Sequence, residues 1–164
     1  MINGAFTIIS FNGTFLFLKR RDKLLWDLPG GGFEPNEVDY KGVAIREAKE
    51  EAGIDLVREK LHLFAILGQR LKQETAEKHQ VSKGFLFLHY TILHSEPRIT
   101  IDALAGEHTE YKFFTQQEII ARYTEFSSGP LWSFFTYLAF FETQKIQEGM
   151  LRDRATWLGT SYIA

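Results

Sequence analysis

Two apolar runs open the chain. Ala5–Phe11 (AFTIISF) and Thr14–Lys19 (TFLFLK) are rich in β-branched and aromatic residues, with Asn12-Gly13 between them. An Asn-Gly step separating two such runs predicts a β-hairpin. Leu24–Leu28 predicts a short strand that ends in Pro29 and the glycines Gly30, Gly31 and Gly32. The period then changes. Over Asp39–Ala52, Ile45, Ala48 and Ala52 fall on one side and a set of carboxylates on the other, which predicts an amphipathic helix. Asp39 is placed to cap its start and Gly53 to end it. Leu61–Leu71 predicts a strand, Gln73–Lys83 a polar loop and Gly84–Leu93 a buried strand. Glu110–Phe114 predicts a short strand, Gln116–Tyr123 a short helix and Pro130–Gln147 a longer helix with proline in its first turn. Strands, a helix, more strands and then helices predict an α/β fold, a mixed sheet packed between helices. No repeat or linker divides the chain, so residues 1–164 are expected to form one domain.

The last predicted helix is unusual. Leu131, Trp132, Phe134, Phe135, Tyr137, Leu138, Phe140 and Phe141 cover much of its circumference. A helix apolar nearly all round needs more than one surface to pack on. A core helix is the plainer reading; a homodimer interface is the sharper one. The tail Arg152–Ala164 carries Trp157 and Tyr162 and is expected to dock, on its own chain or on a partner. The formal net charge is −2, so no basic field gathers nucleic acid polymers. Cysteine is absent, which excludes disulfides, a thiol nucleophile and a cysteine zinc ribbon. The first residues lack a basic region and a cleavable apolar core, and no apolar run reaches about 18 residues. A soluble cytoplasmic protein without a membrane partner is expected.

The chemistry gathers on the first helix. Glu47, Glu50 and Glu51 fall within about 100° of one another at helical spacing. Three carboxylates on one turn repel, and a divalent cation among them removes that cost. Oxygen-only ligands select hard ions, Mg²⁺ or Mn²⁺. Lys41 and Lys49 also permit a plain solvated helix with i,i+4 ion pairs. The glycines just upstream tip the balance toward a site.

Gly31, Glu37, Arg46, Glu47, Glu50, Glu51, Gly53 and Ile54 together resemble the Nudix box, G-x5-E-x7-R-E-U-x-E-E-x-G-U, where U is a bulky aliphatic residue. Ala48 stands where an aliphatic residue is usual. Eight residues, not seven, separate Glu37 from Arg46. The extra residue lies within Val38–Gly42. Inside the helix it would turn the facing surface by about 100°, so it is expected to be absorbed as a bulge before the helix. The Glu37–Arg46 pairing is the part of the match this insertion disturbs. Trp26-Asp27-Leu28-Pro29 also resembles the usual lead-in to the box. Box and lead-in cover about thirty of the 164 residues.

The resemblance implies an α/β/α sandwich and metal-dependent hydrolysis of a nucleoside diphosphate linked to a further group, by attack of water on phosphorus. It implies Glu50 and Glu51 as metal ligands, Glu47 as third ligand or base, and the Gly30 carbonyl completing the shell. Arg46 would pair with Glu37 and hold the loop on the helix; phosphate contact is its rival role. Glu34 has a weaker claim as a supporting acid. A further acid from a late loop is expected, with Glu107 preferred as catalytic group and Glu110 the alternative, as a metal ligand. His108 is expected to be exposed. Gly31, Gly32 and Phe33 are expected to border substrate. Arg20, in the run Lys19-Arg20-Arg21, is a candidate for distal phosphates, against a solvated hairpin edge. Gln69, Arg70 and Leu71 carry no marker for ADP-ribose or diadenosine substrates. The reading leans to (deoxy)nucleoside triphosphates, oxidised ones included. ADP-ribose, a nucleotide sugar or a dinucleoside polyphosphate is the alternative substrate class, and a non-catalytic nucleotide-binding module the alternative function.

Overall fold

The structure, a computed structural model, describes residues 2–69, 83–92 and 95–141. Most of the loop expected over 73–83, with Arg70, Leu71, Leu93 and the chain beyond Phe141, therefore lies outside the described residues.

The hairpin forms where expected. Strands β1 (Ile2–Phe11) and β2 (Thr14–Arg20) pair antiparallel, with Ser10 opposite Phe15 and Phe11 opposite Thr14. Asn12 (φ 48°) and Gly13 (φ 74°) both take the left-handed conformation that suits a two-residue turn to the strand twist. Strand β3 is only Trp26–Asp27, shorter than the predicted Leu24–Leu28, because Leu24 at φ 56° belongs to the preceding turn. The glycines, expected as a turn, form a strand of their own: β4 (Gly30–Gly32) lies antiparallel to β1. Strands β5 (His62–Gln69) and β6 (Lys83–Ile92) pair antiparallel, and β6 runs parallel to β1. Strand β7 (His108–Thr115) pairs with β2. The main path is β3-β2-β1-β6-β5, with β4 on β1 and β7 on β2. The sheet is mixed, as predicted.

Helix α1 (Tyr40–Ala52) lies on one face. Asp39 accepts a hydrogen bond from the Gly42 N–H, and Gly53 closes the helix at φ 71°. The buried side of α1 is Val43, Ala44, Ala48 and Ala52, and Ile45 packs against the same cluster. These small residues let the helix approach the sheet over Ala5, Ile9, Leu16 and Leu18. The opposite face carries α2 (Gln116–Ala121), opened by a Thr115/Glu118 capping box, and α3 (Ser128–Phe141). Helix α3 starts two residues before Pro130. Its Phe134, Tyr137 and Leu138 are buried against Phe15, Phe17 and Phe64, so the described part of this helix has a core role, with Trp132 half exposed on another side. No described helix is long and apolar enough to cross a membrane.

Candidate active site

The site begins with a close approach of two backbones and the carboxylates of α1. Gly4, Ala5 and Phe6 of β1 stand opposite Gly32, Gly31 and Gly30 of β4. A Cβ on Gly4 would lie 2.1 Å from the Gly31 carbonyl oxygen, and one on Gly31 would lie 2.1 Å from Glu47 Oε1. Side chains are excluded so that the glycine strand can touch the acidic side of α1. Contact is direct: the Gly30 N–H donates to Glu51 Oε2 at 2.8 Å.

Arg46 ties this assembly together. Its Nε donates to Glu37 Oε1 at 2.8 Å and its Nη2 to Glu37 Oε2 at 3.2 Å, a two-pronged pair. Nη2 also donates to the Gly32 carbonyl at 2.8 Å. Nη1 reaches Glu47 Oε1 at 2.8 Å and Glu50 Oε2 at 3.1 Å. Five acceptors from four residues make the guanidinium harder still to deprotonate, Glu37 contributing most. The insertion between Glu37 and Arg46 therefore leaves their pairing intact. Glu37 Oε2 also accepts the Glu34 N–H and the Glu37 N–H donates to the Glu34 carbonyl, closing a turn before the helix. Val38 stands almost fully exposed just after this turn and before the Asp39 cap. The surplus residue is thus taken up ahead of α1, and Arg46, Glu47, Glu50 and Glu51 keep their helical spacing.

The three glutamates differ sharply in environment. Glu50 is mostly exposed, whereas Glu47 and Glu51 side chains retain 13% and 11% of their exposure. Burial pushes the Glu51 carboxyl up to about 8, opposed by the Gly30 N–H and reinforced by repulsion from Glu47, Glu107 and Asp27. Burial also raises Glu47, with Arg46 opposing and Glu50 and Glu107 adding repulsion. Late in the chain, Glu107 therefore acts electrostatically on the box. Glu110 does not belong to this group: it bonds Lys19 across the β2–β7 ladder at 3.4 Å.

His108 corrects an expectation. It is buried, not exposed, and its Nδ1 stands 3.5 Å from Glu51 Oε1. Burial lowers its pKa and raises that of Glu51, so burial disfavours the charged form of both partners in this contact. A register shift in β7 explains the placement. Lys19 pairs with Glu110 and Arg20 with His108, leaving Thr109 unmatched. One surplus residue reverses the side-chain alternation, turning His108 toward the α1 face. Asp27, read only as part of the lead-in, is a second residue that sequence reasoning missed. It is buried, its carboxyl is raised chiefly by burial, and it accepts the Leu28 N–H at 2.9 Å. Its one sequence signal was an acid in an otherwise apolar strand.

The remaining candidates sit at the rim. Arg20 is engaged by Asp22 at 2.8 Å and 3.2 Å. Phe33 is partly exposed beside the glycine strand, its N–H donating to the Asn3 carbonyl. Glu34 lies 3.9 Å from Arg46. Among the described residues no three acidic or histidine side chains form a ready-made ion cage, since Arg46 stands between Glu47 and Glu50. The donor chemistry nevertheless suits a hard divalent cation. Glu51 is a buried carboxyl among like charges with one N–H for support, and an ion there would reverse the direction in which burial drives it.

A family model described as NUDIX domain matches residues 1–132. The chain belongs to the Nudix family. Residues Gly31–Ile54 are its Nudix box, with one residue more than usual before the helix. A curated Bacillus subtilis (strain 168) relative named "Putative 8-oxo-dGTP diphosphatase" is 45% identical over 51 residues, which are 30% of this chain and 34% of that protein. The match thus spans about a third of that relative's length. A MutT protein from Methanosarcina mazei Go1 superposes with a TM-score of 0.64 at 20% identity, over 87% of this chain and 96% of that one. A Nudix hydrolase from Nitrosomonas europaea gives 0.66 at 16%, over 85% and 90%. A Caenorhabditis elegans Ap4A hydrolase gives 0.59 at 23%, over 86% and 100%. At these identities the structural likeness is one of Nudix fold.

Proposed function

We propose that this Nudix protein is a divalent-metal-dependent pyrophosphohydrolase acting on nucleoside diphosphate derivatives. The observation that carries the reading is Glu51: a buried carboxyl, braced by the Gly30 N–H, surrounded by the charges of Glu47, Glu107 and Asp27. A fold that gains nothing from an ion has no reason to bury an acid among acids.

Glu50, Glu51 and the Gly30 carbonyl would hold Mg²⁺ or Mn²⁺, with Glu47 as a third ligand or as the base. When bound, the ion supplies charge neutralisation at the diphosphate and a more acidic water. The chain's own residues do the rest. Arg46 holds Glu47 and Glu50 against the Gly32 carbonyl, and Glu37 fixes Arg46 from the far side. Glu107 or Glu47 takes the proton as the water oxygen bonds to phosphorus and the bridging P–O bond breaks, its electron pair leaving with the departing phosphate oxygen. A base in this position operates best with a pKa near the working pH, and burial moves Glu47 upward in that sense.

The substrate class favoured is (deoxy)nucleoside triphosphates, oxidised ones included. The Bacillus subtilis relative's name supports it, on a matched stretch of 51 residues. Incubation with a panel of nucleoside triphosphates, ADP-ribose, nucleotide sugars and dinucleoside polyphosphates in ¹⁸O-water tests both parts. Mg²⁺-dependent release of pyrophosphate or phosphate is expected, strongest with triphosphates. The Glu50→Gln variant should keep the fold and lose turnover by about 10³-fold or more. Undiminished turnover in that variant overturns the ligand assignment. Tight nucleotide binding with no turnover by the wild type would make the protein a binding module instead.

A further inference from the structure

The proposed reaction uses no member of the basic run; Lys19 and Arg20 pair with single acids, whereas Arg21 has a specific set of backbone partners. It does not face the glycine strand. Its Nε donates to the Gly106 carbonyl at 2.9 Å and its Nη2 to the Ala103 carbonyl at 3.0 Å. Its backbone N–H donates to the Glu107 carbonyl at 2.8 Å. Three hydrogen bonds from one residue thus grip the segment that ends at Glu107. The same segment is closed from within by Asp102. Its Oδ1 accepts the Ala105 N–H at 2.9 Å and the Leu104 N–H at 3.2 Å, and its carbonyl accepts the Gly106 N–H at 2.8 Å.

This grip sits next to the chemistry. Glu107 repels both Glu47 and Glu51, and the next residue is His108, 3.5 Å from Glu51. Glu107 lies just outside β7, so the strand ladder does not hold its main chain on the β2 side; the Arg21 N–H does. A guanidinium binding two carbonyls of one loop sets that loop's path far more tightly than a single ammonium can.

We propose that Arg21 is a positioning residue. By clamping the Ala103 and Gly106 carbonyls to the β2–β3 turn, it sets the Glu107 carboxylate against the box glutamates. The idea rests on the pyrophosphohydrolase reading and on Glu107 acting in it. Displacing a reacting group by about 1 Å costs on the order of 10²-fold in rate, so loss of the clamp should fall on kcat.

The test is a double-mutant cycle between Arg21→Ala and Glu107→Gln, run on the nucleotide that the panel identifies as best. Arg21→Ala is expected to lower kcat by about 10- to 100-fold with KM within about 2-fold. In the Glu107→Gln background the same change should cost less than about 2-fold, because the group it positions is already gone. Arg21→Lys, which keeps charge and fold but reaches one carbonyl at most, should fall between wild type and Arg21→Ala. Equal losses in both backgrounds overturn the clamp and leave the hydrolase reading standing. So does full activity in Arg21→Lys together with full activity in a folded Arg21→Ala. A wild type that turns over nothing in the panel overturns the hydrolase reading itself, and the clamp with it.

Discussion

Glu51 is the residue at which burial and chemistry pull hardest against each other. Its carboxyl is pushed up to about 8 from an ordinary value of 4.5, mainly by burial. The sign of the consequence follows from linkage. Below about 4.5 both folded and unfolded chains hold the proton, and nothing is lost. Between about 4.5 and 8 the unfolded chain releases it first, so stability falls as pH rises; above 8 the full penalty stands. Each tenfold change in proton affinity is worth about 1.4 kcal/mol, so the penalty is a few kcal/mol in the absence of metal. Glu51→Gln cannot ionise and should show a flatter melting temperature from pH 5 to 9. Added Mg²⁺ should recover the wild type at pH 9 and leave the variant unmoved. Thermal melts with and without EDTA decide it; parallel pH profiles for the two proteins would refute the burial argument. Sequence spacing shows that Glu47, Glu50 and Glu51 share a helix side, but ranks them alike. Glu50 meets solvent and its helix neighbour Arg46, whereas Glu51 is set apart by the Gly30 N–H and the His108 ring, which strands elsewhere in the chain supply.

Among the elements, α1 is the one the sequence describes best, because both of its ends carry local signals: the Asp39 side chain on the Gly42 N–H and Gly53 at positive φ. Strand β4 is the one it describes least. Three glycines have no side-chain alternation to read, and their strand exists only because β1 lies beside them. The reason for the glycines is spatial, and it separates two substitutions. At Gly31 a methyl group would meet the carboxylate end of Glu47, which can swing away. Gly31→Ala should therefore fold with a loss of about 1 kcal/mol or less, yet turn Glu47 from its place and reduce kcat by about 10²-fold or more. At Gly4 the methyl group would meet the Gly31 carbonyl, which is backbone and cannot. Gly4→Ala should cost about 1–3 kcal/mol by overpacking, visible as a lower urea midpoint. The reverse pattern, a stable Gly4→Ala and an unfolded Gly31→Ala, would contradict the close approach that defines β4. The same contrast shows in β7: the alternation in HTEYKFFT is legible, but the surplus Thr109 that turns His108 inward appears only once β2 is paired with it.

At the scale of the molecule the sheet divides stability from chemistry. Alternate residues of β2 go opposite ways: Leu16 and Leu18 to the α1 side, Phe15 and Phe17 to the side of α2 and α3. The aromatic excess of the sequence is concentrated on the second side, where Phe134 of α3 meets Phe15 edge-on at a centroid distance of 4.8 Å and Phe17 at 6.3 Å. The box carboxylates project from α1, on the first. Phe134→Ala removes a fully buried ring and should cost about 3–5 kcal/mol through lost burial and a residual cavity. For a chain of this size that is a fall of about 10 °C in melting temperature. With the sheet interposed, kcat measured well below the new transition should stay within about 2-fold of wild type. A melting temperature that does not move would show that α3 is not packed as the structure has it. A kcat that collapses in step with stability would show that the two faces are coupled through the sheet, through Trp26, which packs on Phe114 of the aromatic cluster and is joined in sequence to Asp27 beside Glu51.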